Sequence, residues 1–157
     1  MKASSVHEIK KELDKLDADR LLELCLRLAR YKKENKELLT YLLFEADEEV
    51  AYVESIKREL NEQFIALPKG NLYFFKKSLR KVLRMANKQI RYSGIKQSEL
   101  EVRIHFCTLL KNSGIRLDKS PVLINLYQQQ LKKIHATVTK LPEDLQFDYQ
   151  RAIEELS

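Results

Sequence analysis

A chain of 157 residues that is 44% hydrophobic and 33% charged, with three Gly and three Pro, has enough apolar material for a buried core and too few turn-formers for an all-β fold. Its net charge of +6 is uneven: residues 1–62 hold 12 basic and 15 acidic side chains, residues 63–98 hold 9 basic and none acidic, and residues 99–157 hold 8 of each. Apolar residues recurring along almost the whole length exclude a disordered chain, and the charge distribution puts the whole positive excess in one central segment.

The first helix is expected from Ser5. Ser5 and Glu8 have the spacing of a capping box, and Val6, Ile9, Leu13 and Leu16 follow at helical intervals. Asp17 suits the cap of a second helix with Leu21, Leu24, Cys25 and Leu28 on one face, and a third runs through ELLTYLLF to Phe44. The fourth covers residues 47–67. Asp47, Glu48 and Glu49 sit in its first turn, Val50, Val53, Ile56, Leu60, Phe64 and Leu67 form its stripe, and Pro68 and Gly70 end it.

A fifth helix is predicted over residues 71–92, stopping at Gly94. Ser98 and Glu101 read as a second capping box, opening a sixth helix through Leu100, Ile104, Cys107 and Leu110 to Gly114. Ser120 before Pro121 starts a seventh with Leu123, Leu126, Leu131, Ile134 and Val138. The eighth begins near Pro142 and carries Leu145, Tyr149, Ile153 and Leu156. The expectation is a single all-α domain over residues 1–157, about eight helices in consecutive antiparallel pairs. Either a short right-handed α-superhelix of armadillo/HEAT-like kind or a globular helical bundle satisfies it.

The fifth helix carries the sharpest signal. At 100° per residue, Lys76, Lys77, Arg80, Lys81, Arg84, Lys88 and Arg91 fall within about 140° of arc, with Tyr73 among them. Leu72, Phe75, Leu79, Val82, Leu83, Ala86 and Ile90 fall within about 100° on the other side, and Phe74 lies at the border. A solvated exterior, or pairing with the acidic Glu45–Glu54 segment, would account for a basic face. Against a merely solvated one stand the like-charged i,i+4 pairs Lys76–Arg80, Arg80–Arg84, Arg84–Lys88 and Lys77–Lys81, which together cost about 1 kcal/mol that an anionic partner would recover. Tyr73, Lys76, Lys77, Arg80, Lys81, Arg84, Lys88 and Arg91 are therefore the candidate anion- or partner-binding residues.

Other chemistry is sparse. Cys25 and Cys107 lie in apolar helical patterns without zinc-ligand spacing and read as buried, reduced thiols. Glu101 and His105 are four residues apart, but two ligands do not make a metal site. No glycine-rich phosphate loop or nucleophile–base motif is legible. The expectations are no catalytic residue, no metal and no cofactor. MKASSVHEIKKEL lacks the apolar core of a secretory signal, and no apolar run approaches the ~20 residues of a membrane span, so a cytoplasmic protein without membrane contact is expected.

The stretch SVHEIKKELDKLDADRLLELCLRLARYKKENKELLTYLLF resembles the opening of an uncharacterised bacterial family of small all-helical proteins. Glu12, Leu13, Leu21, Leu22, Leu24, Asn35, Lys36, Glu37 and Leu42 carry the resemblance, which implies an all-helical fold and brings no activity or binding residue. The same helix pair is similar to a SAP-type DNA-binding module, with LDADR standing where that module has a glycine-containing turn. Two functions follow as expectations: a non-enzymatic protein-binding module whose basic face takes an acidic protein partner or a second copy, as a homo-oligomer, or else a sequence-nonspecific nucleic-acid-associated protein.

Overall fold

The computed structural model describes all 157 residues, and they form eight α-helices joined by short links, with no strand. The chain divides into two compact units, residues 1–44 and 45–157.

The first unit holds α1 (Val6–Leu13), α2 (Ala18–Tyr31) and α3 (Lys33–Thr40). Both predicted caps form. Ser5 N donates to Glu8 Oε2 at 2.8 Å while Glu8 N donates to Ser5 Oγ at 3.3 Å, and Arg20 N donates to Asp17 Oδ1 at 2.8 Å. Extended backbone at Lys32 (φ −140°, ψ 145°) separates α2 from α3, which pack together, tied by Asn35 Nδ2 donating to the Leu28 carbonyl at 2.8 Å. A π-helical turn, Tyr41–Glu45, then takes the chain out of α3.

The apolar positions of this unit are not a sealed core. Val6, Leu22, Leu28, Tyr31 and Phe44 are exposed, and Tyr41 is its buried residue. Cys25, expected inside, is exposed. The reason is geometric: Leu21, Leu22, Leu24, Cys25, Leu26, Leu28 and Ala29 wrap about 200° of α2, wider than the eight-residue α3 can cover.

The second unit holds α4 (Glu49–Ile65), α5 (Leu72–Ser93), α6 (Lys96–Lys111), α7 (Pro121–Val138) and α8 (Glu143–Leu156). A 3₁₀ turn, Ala46–Glu48, precedes α4, and another, Leu117–Lys119, precedes α7. Asn71 caps α5 by accepting from Phe74 N at 3.1 Å, and Gly94 ends it in the left-handed conformation (φ 68°) that a side chain resists. Ser120 caps α7 with Pro121 in its first turn.

Contacts across the unit fix the directions. Glu49 accepts from Ser93 and Ser98, Lys57 Nζ reaches Glu101 at 3.0 Å, and His105 Nε2 lies 2.7 Å from Asn61 Oδ1. The starts of α4 and α6 thus lie together and the two helices run parallel. Gln97 and Glu101 both bond the Tyr149 hydroxyl while Lys111 reaches the Glu155 carbonyl, so α8 runs parallel to α6 as well. With α5 and α7 returning between them, α4, α6 and α8 form one row and α6 packs on all four of the others. Within this unit the packed hairpins expected from the sequence are present.

Most of the predicted stripe positions are buried: Val53, Ile56, Leu60 and Phe64 from α4, Phe75, Leu79, Val82, Ala86 and Ile90 from α5, and Leu123, Leu131 and Ile134 from α7 join Leu100, Cys107 and Leu110 of α6, with Phe106 buried beside that last stripe. Val50, expected on the α4 stripe, is exposed, because it lies about 40° outside the arc of Val53, Ile56, Leu60, Phe64 and Leu67, and Ile104 is half-buried. Burial pushes the Cys107 thiol up to about 12 despite the opposing charge of Arg103, so it stays a packed, protonated group.

One predicted cap fails. The sixth helix starts at Lys96, two residues before Ser98, with Ile95 at its cap and no side-chain cap bond. Ser98 is buried and gives its hydroxyl to Glu49, while Glu101 is held by Lys57 and Tyr149. Both halves of the supposed box are recruited by tertiary partners instead.

Candidate functional site

The arc predicted on the fifth helix lies on α5. Phe75 and Leu79 are fully buried on its inner side, while Lys77, Arg80, Lys81, Arg84 and Arg91 are exposed on the outer side and Lys76 is half-buried at its edge. A helix of 22 residues is about 33 Å long, and the row from Lys76 to Arg91 takes up about 23 Å of it. None of Lys76, Lys77, Arg80, Lys81, Arg84 and Arg91 enters an ion pair or a side-chain hydrogen bond within the molecule. Lys88 differs. It is half-buried and engaged internally, so it is set apart from the open row.

The acidic start of the preceding helix is partly committed elsewhere. Glu54 pairs with Lys57 at 2.9 Å, a hydrogen bond and charge that hold its carboxyl below the usual range. Burial alone would depress the Lys57 ammonium, but its hydrogen bonds to Glu54 and Glu101 and their charges outweigh it and raise its pKa. Glu49 reaches the end of α5 through the Ser93 hydroxyl.

At the N-terminal end of the row the surface changes character. Tyr73 is 65% and Phe74 53% exposed, and their rings meet edge to face with centroids 5.4 Å apart and planes at 75°. Leu72 beside them is exposed too. An aromatic and aliphatic tip followed by a row of open cations can supply apolar anchoring and charge attraction from one helix.

The remaining candidates are absorbed by structure. His105 is bonded to Asn61; burial, followed by the charge of Lys57, lowers its pKa, so it stays neutral at physiological pH. Glu101 does not meet it, being held by Lys57 and Tyr149.

Arg103 lies outside the residues that the sequence marks as candidates. This guanidinium is 7% exposed. Its Nε donates to Glu99 Oε1 at 3.0 Å, and its Nη1 donates to Asn87 Oδ1 and Gln130 Oε1, both at 2.9 Å, so it ties α6 to α5 and α7. Burial would raise the Glu99 carboxyl, but Arg103 first and Lys96 second outweigh that and hold it below the ordinary range. The i,i+4 spacing of Glu99 and Arg103 was the available signal; Asn87 and Gln130 gave none.

No helix is long and apolar enough to cross a membrane. Comparison of the chain with protein-family models, with curated proteins and with solved structures finds no match.

Proposed function

We propose that the chain is a non-enzymatic helical interaction module that docks an acidic protein surface on the outer face of α5, with Tyr73 and Phe74 as its apolar anchor. The observation that carries this reading is the row Lys76, Lys77, Arg80, Lys81, Arg84 and Arg91, unpaired within the molecule beside an exposed aromatic pair. Acidic side chains laid along the row relieve the like-charge contacts on α5, and the aromatic tip adds buried area. Self-association through this face cannot be isologous, because a two-fold axis would set the row against itself. A second copy would have to present a different, acidic surface.

Nucleic acid is the competing reading, and the surface favours protein. The two exposed rings are turned on each other, and a single helix face offers a small footprint for a phosphate backbone.

The test separates local from global charge. Lys77→Gln/Arg80→Gln/Arg84→Gln and a control, Lys10→Gln/Lys11→Gln/Lys36→Gln, change net charge equally. The face variant is expected to elute from immobilised heparin at clearly lower salt than the unmodified protein, and the control close to it. Equal losses would mean that retention reports net charge alone and would remove the face. In a gel-shift titration at physiological salt, double-stranded DNA is expected to show no complex. A complex whose log affinity falls with log salt at several charges' worth of slope would favour the nucleic-acid reading instead.

A further inference from the structure

The charge on α5 does not end at its outer face. Where α5 stops and α6 begins, a cleft of about 400 Å³ opens between α5, α6 and α7, lined by Asn87, Arg91, Lys96, Glu99, Arg103 and Lys133. Four cations and one carboxylate give it a formal charge of +3, and Glu99 is already shared by Arg103 at 3.0 Å and Lys96 at 3.2 Å.

Arg103 is the buried cation of this cluster, and its bonding is incomplete. Nε and Nη1 account for all three of its hydrogen bonds. Nη2 therefore has no partner in the molecule. No side-chain nitrogen or oxygen without a partner is sealed from solvent, so Nη2 is reachable although the residue is 7% exposed. The guanidinium is fixed by Glu99, Asn87 and Gln130 and needs no reordering to receive an acceptor, while Arg91 and Lys133 are exposed and bonded to nothing. The first turn of α6, which has no side-chain cap, begins at the same place and adds its free amides.

We propose that this cleft binds a phosphorylated small molecule, its phosphoryl group seated against Arg103 Nη2 among Arg91, Lys96 and Lys133. A multiply charged oxyanion matches a site of +3 better than a single carboxylate does, and it has enough acceptor oxygens for several donors. The volume exceeds that of a phosphate ion and falls in the range of small-molecule sites. The inference does not depend on the α5 face: of the open row, only Arg91 reaches the cleft.

Calorimetric titration at fixed ionic strength tests it, with ribose 5-phosphate, inorganic phosphate and acetate as probes. Ribose 5-phosphate is expected to bind saturably at one site and more tightly than inorganic phosphate, and acetate not to bind. Lys133→Gln, an exposed substitution that leaves the core untouched, is expected to weaken the phosphate monoester about tenfold. Lys140→Gln and Lys81→Gln, both outside the cleft, should change it less than twofold. Lys81→Gln still tests the α5 face through heparin retention, so the two readings fail separately. Absence of saturable binding would overturn the site. So would equal affinity for ribose 5-phosphate and phosphate, or equal losses in Lys133→Gln and Lys140→Gln.

Discussion

Replacing Phe106 by Ala should destabilise the second unit by about 4 kcal/mol, a large share of the ~5–15 kcal/mol that holds a domain folded. Phe106 is 1% exposed in α6, the helix on which α4, α5, α7 and α8 all pack. Its ring meets Phe64 of α4 edge to face, with centroids 5.4 Å apart and planes at 78°, so truncation removes both the buried area and an oriented aromatic contact. The void opens beside the buried Phe64 ring, in a close-packed core that cannot readily collapse. Urea denaturation followed by far-ultraviolet circular dichroism measures the loss. Phe147→Ala provides the contrast: that ring is exposed on α8, and its removal should cost less than about 0.5 kcal/mol. A Phe106→Ala cost below 1 kcal/mol would contradict the central place given to α6.

Arg103→Met keeps an unbranched stem of similar shape and removes the guanidinium. The expected cost is about 2–3 kcal/mol, because Glu99 loses its principal counter-charge and the Asn87 and Gln130 oxygens lose a donor at the same time. Replacing an exposed, unpaired arginine of α5 such as Arg84 removes no partner and, because it relieves like-charge contacts, should not lower stability. The Arg103 effect carries a pH signature. The folded-state pKa of Glu99 is depressed below its ordinary 4.5, so its contribution is fully present above that value and disappears as pH falls through the depressed one. The gap in urea midpoint between Arg103→Met and the unmodified protein should be constant near neutrality and narrow below about pH 4.5. A gap independent of pH would mean that packing, and not the ion pair, explains the loss.

These two residues mark what a sequence does and does not disclose. Phe106 borders the apolar stripe Leu100, Ile104, Cys107 and Leu110 without belonging to it; the stripe is a period, and a period can be read without knowing what lies opposite. The same holds for the caps at Ser5, Asp17 and Ser120 and for the stop at Gly94, each depending on residues within a few positions along the chain. The two-faced character of α5 was legible for this reason, down to Phe75 inside and Lys77 outside. Arg103 is buried because of Asn87 and Gln130, 16 and 27 positions away, and no local pattern announces that. Ser98 and Glu101 show the converse. Their spacing is right for a cap, but Glu49, Lys57 and Tyr149 compete for the same groups and win. Cys25 shows a third limit, since an apolar arc reveals which side seeks cover and not how much cover its neighbours supply.

The cleft at the end of α5 and the row along its outer face differ in kind. In the row, mobile side chains sit in high dielectric, where each contact is weak and salt-sensitive and only their number gives strength. In the cleft, one guanidinium is held rigid by three neighbours, and three further cations line the same cavity. A broad acidic surface suits the first, a compact anion the second.

The proposed interface requires the α5 cations to be unneutralised by their own molecule, and the thermal stability of Arg80→Glu tests this most directly. The substitution exchanges two like-charged i,i+4 contacts, with Lys76 and Arg84, for two opposite ones, a gain of about 1 kcal/mol if the row is open. A rise in melting temperature of about 2–4 °C at low salt, shrinking as salt is added, is the expected result. A fall would mean that carboxylates of the chain already satisfy Arg80, and the interaction face would not stand.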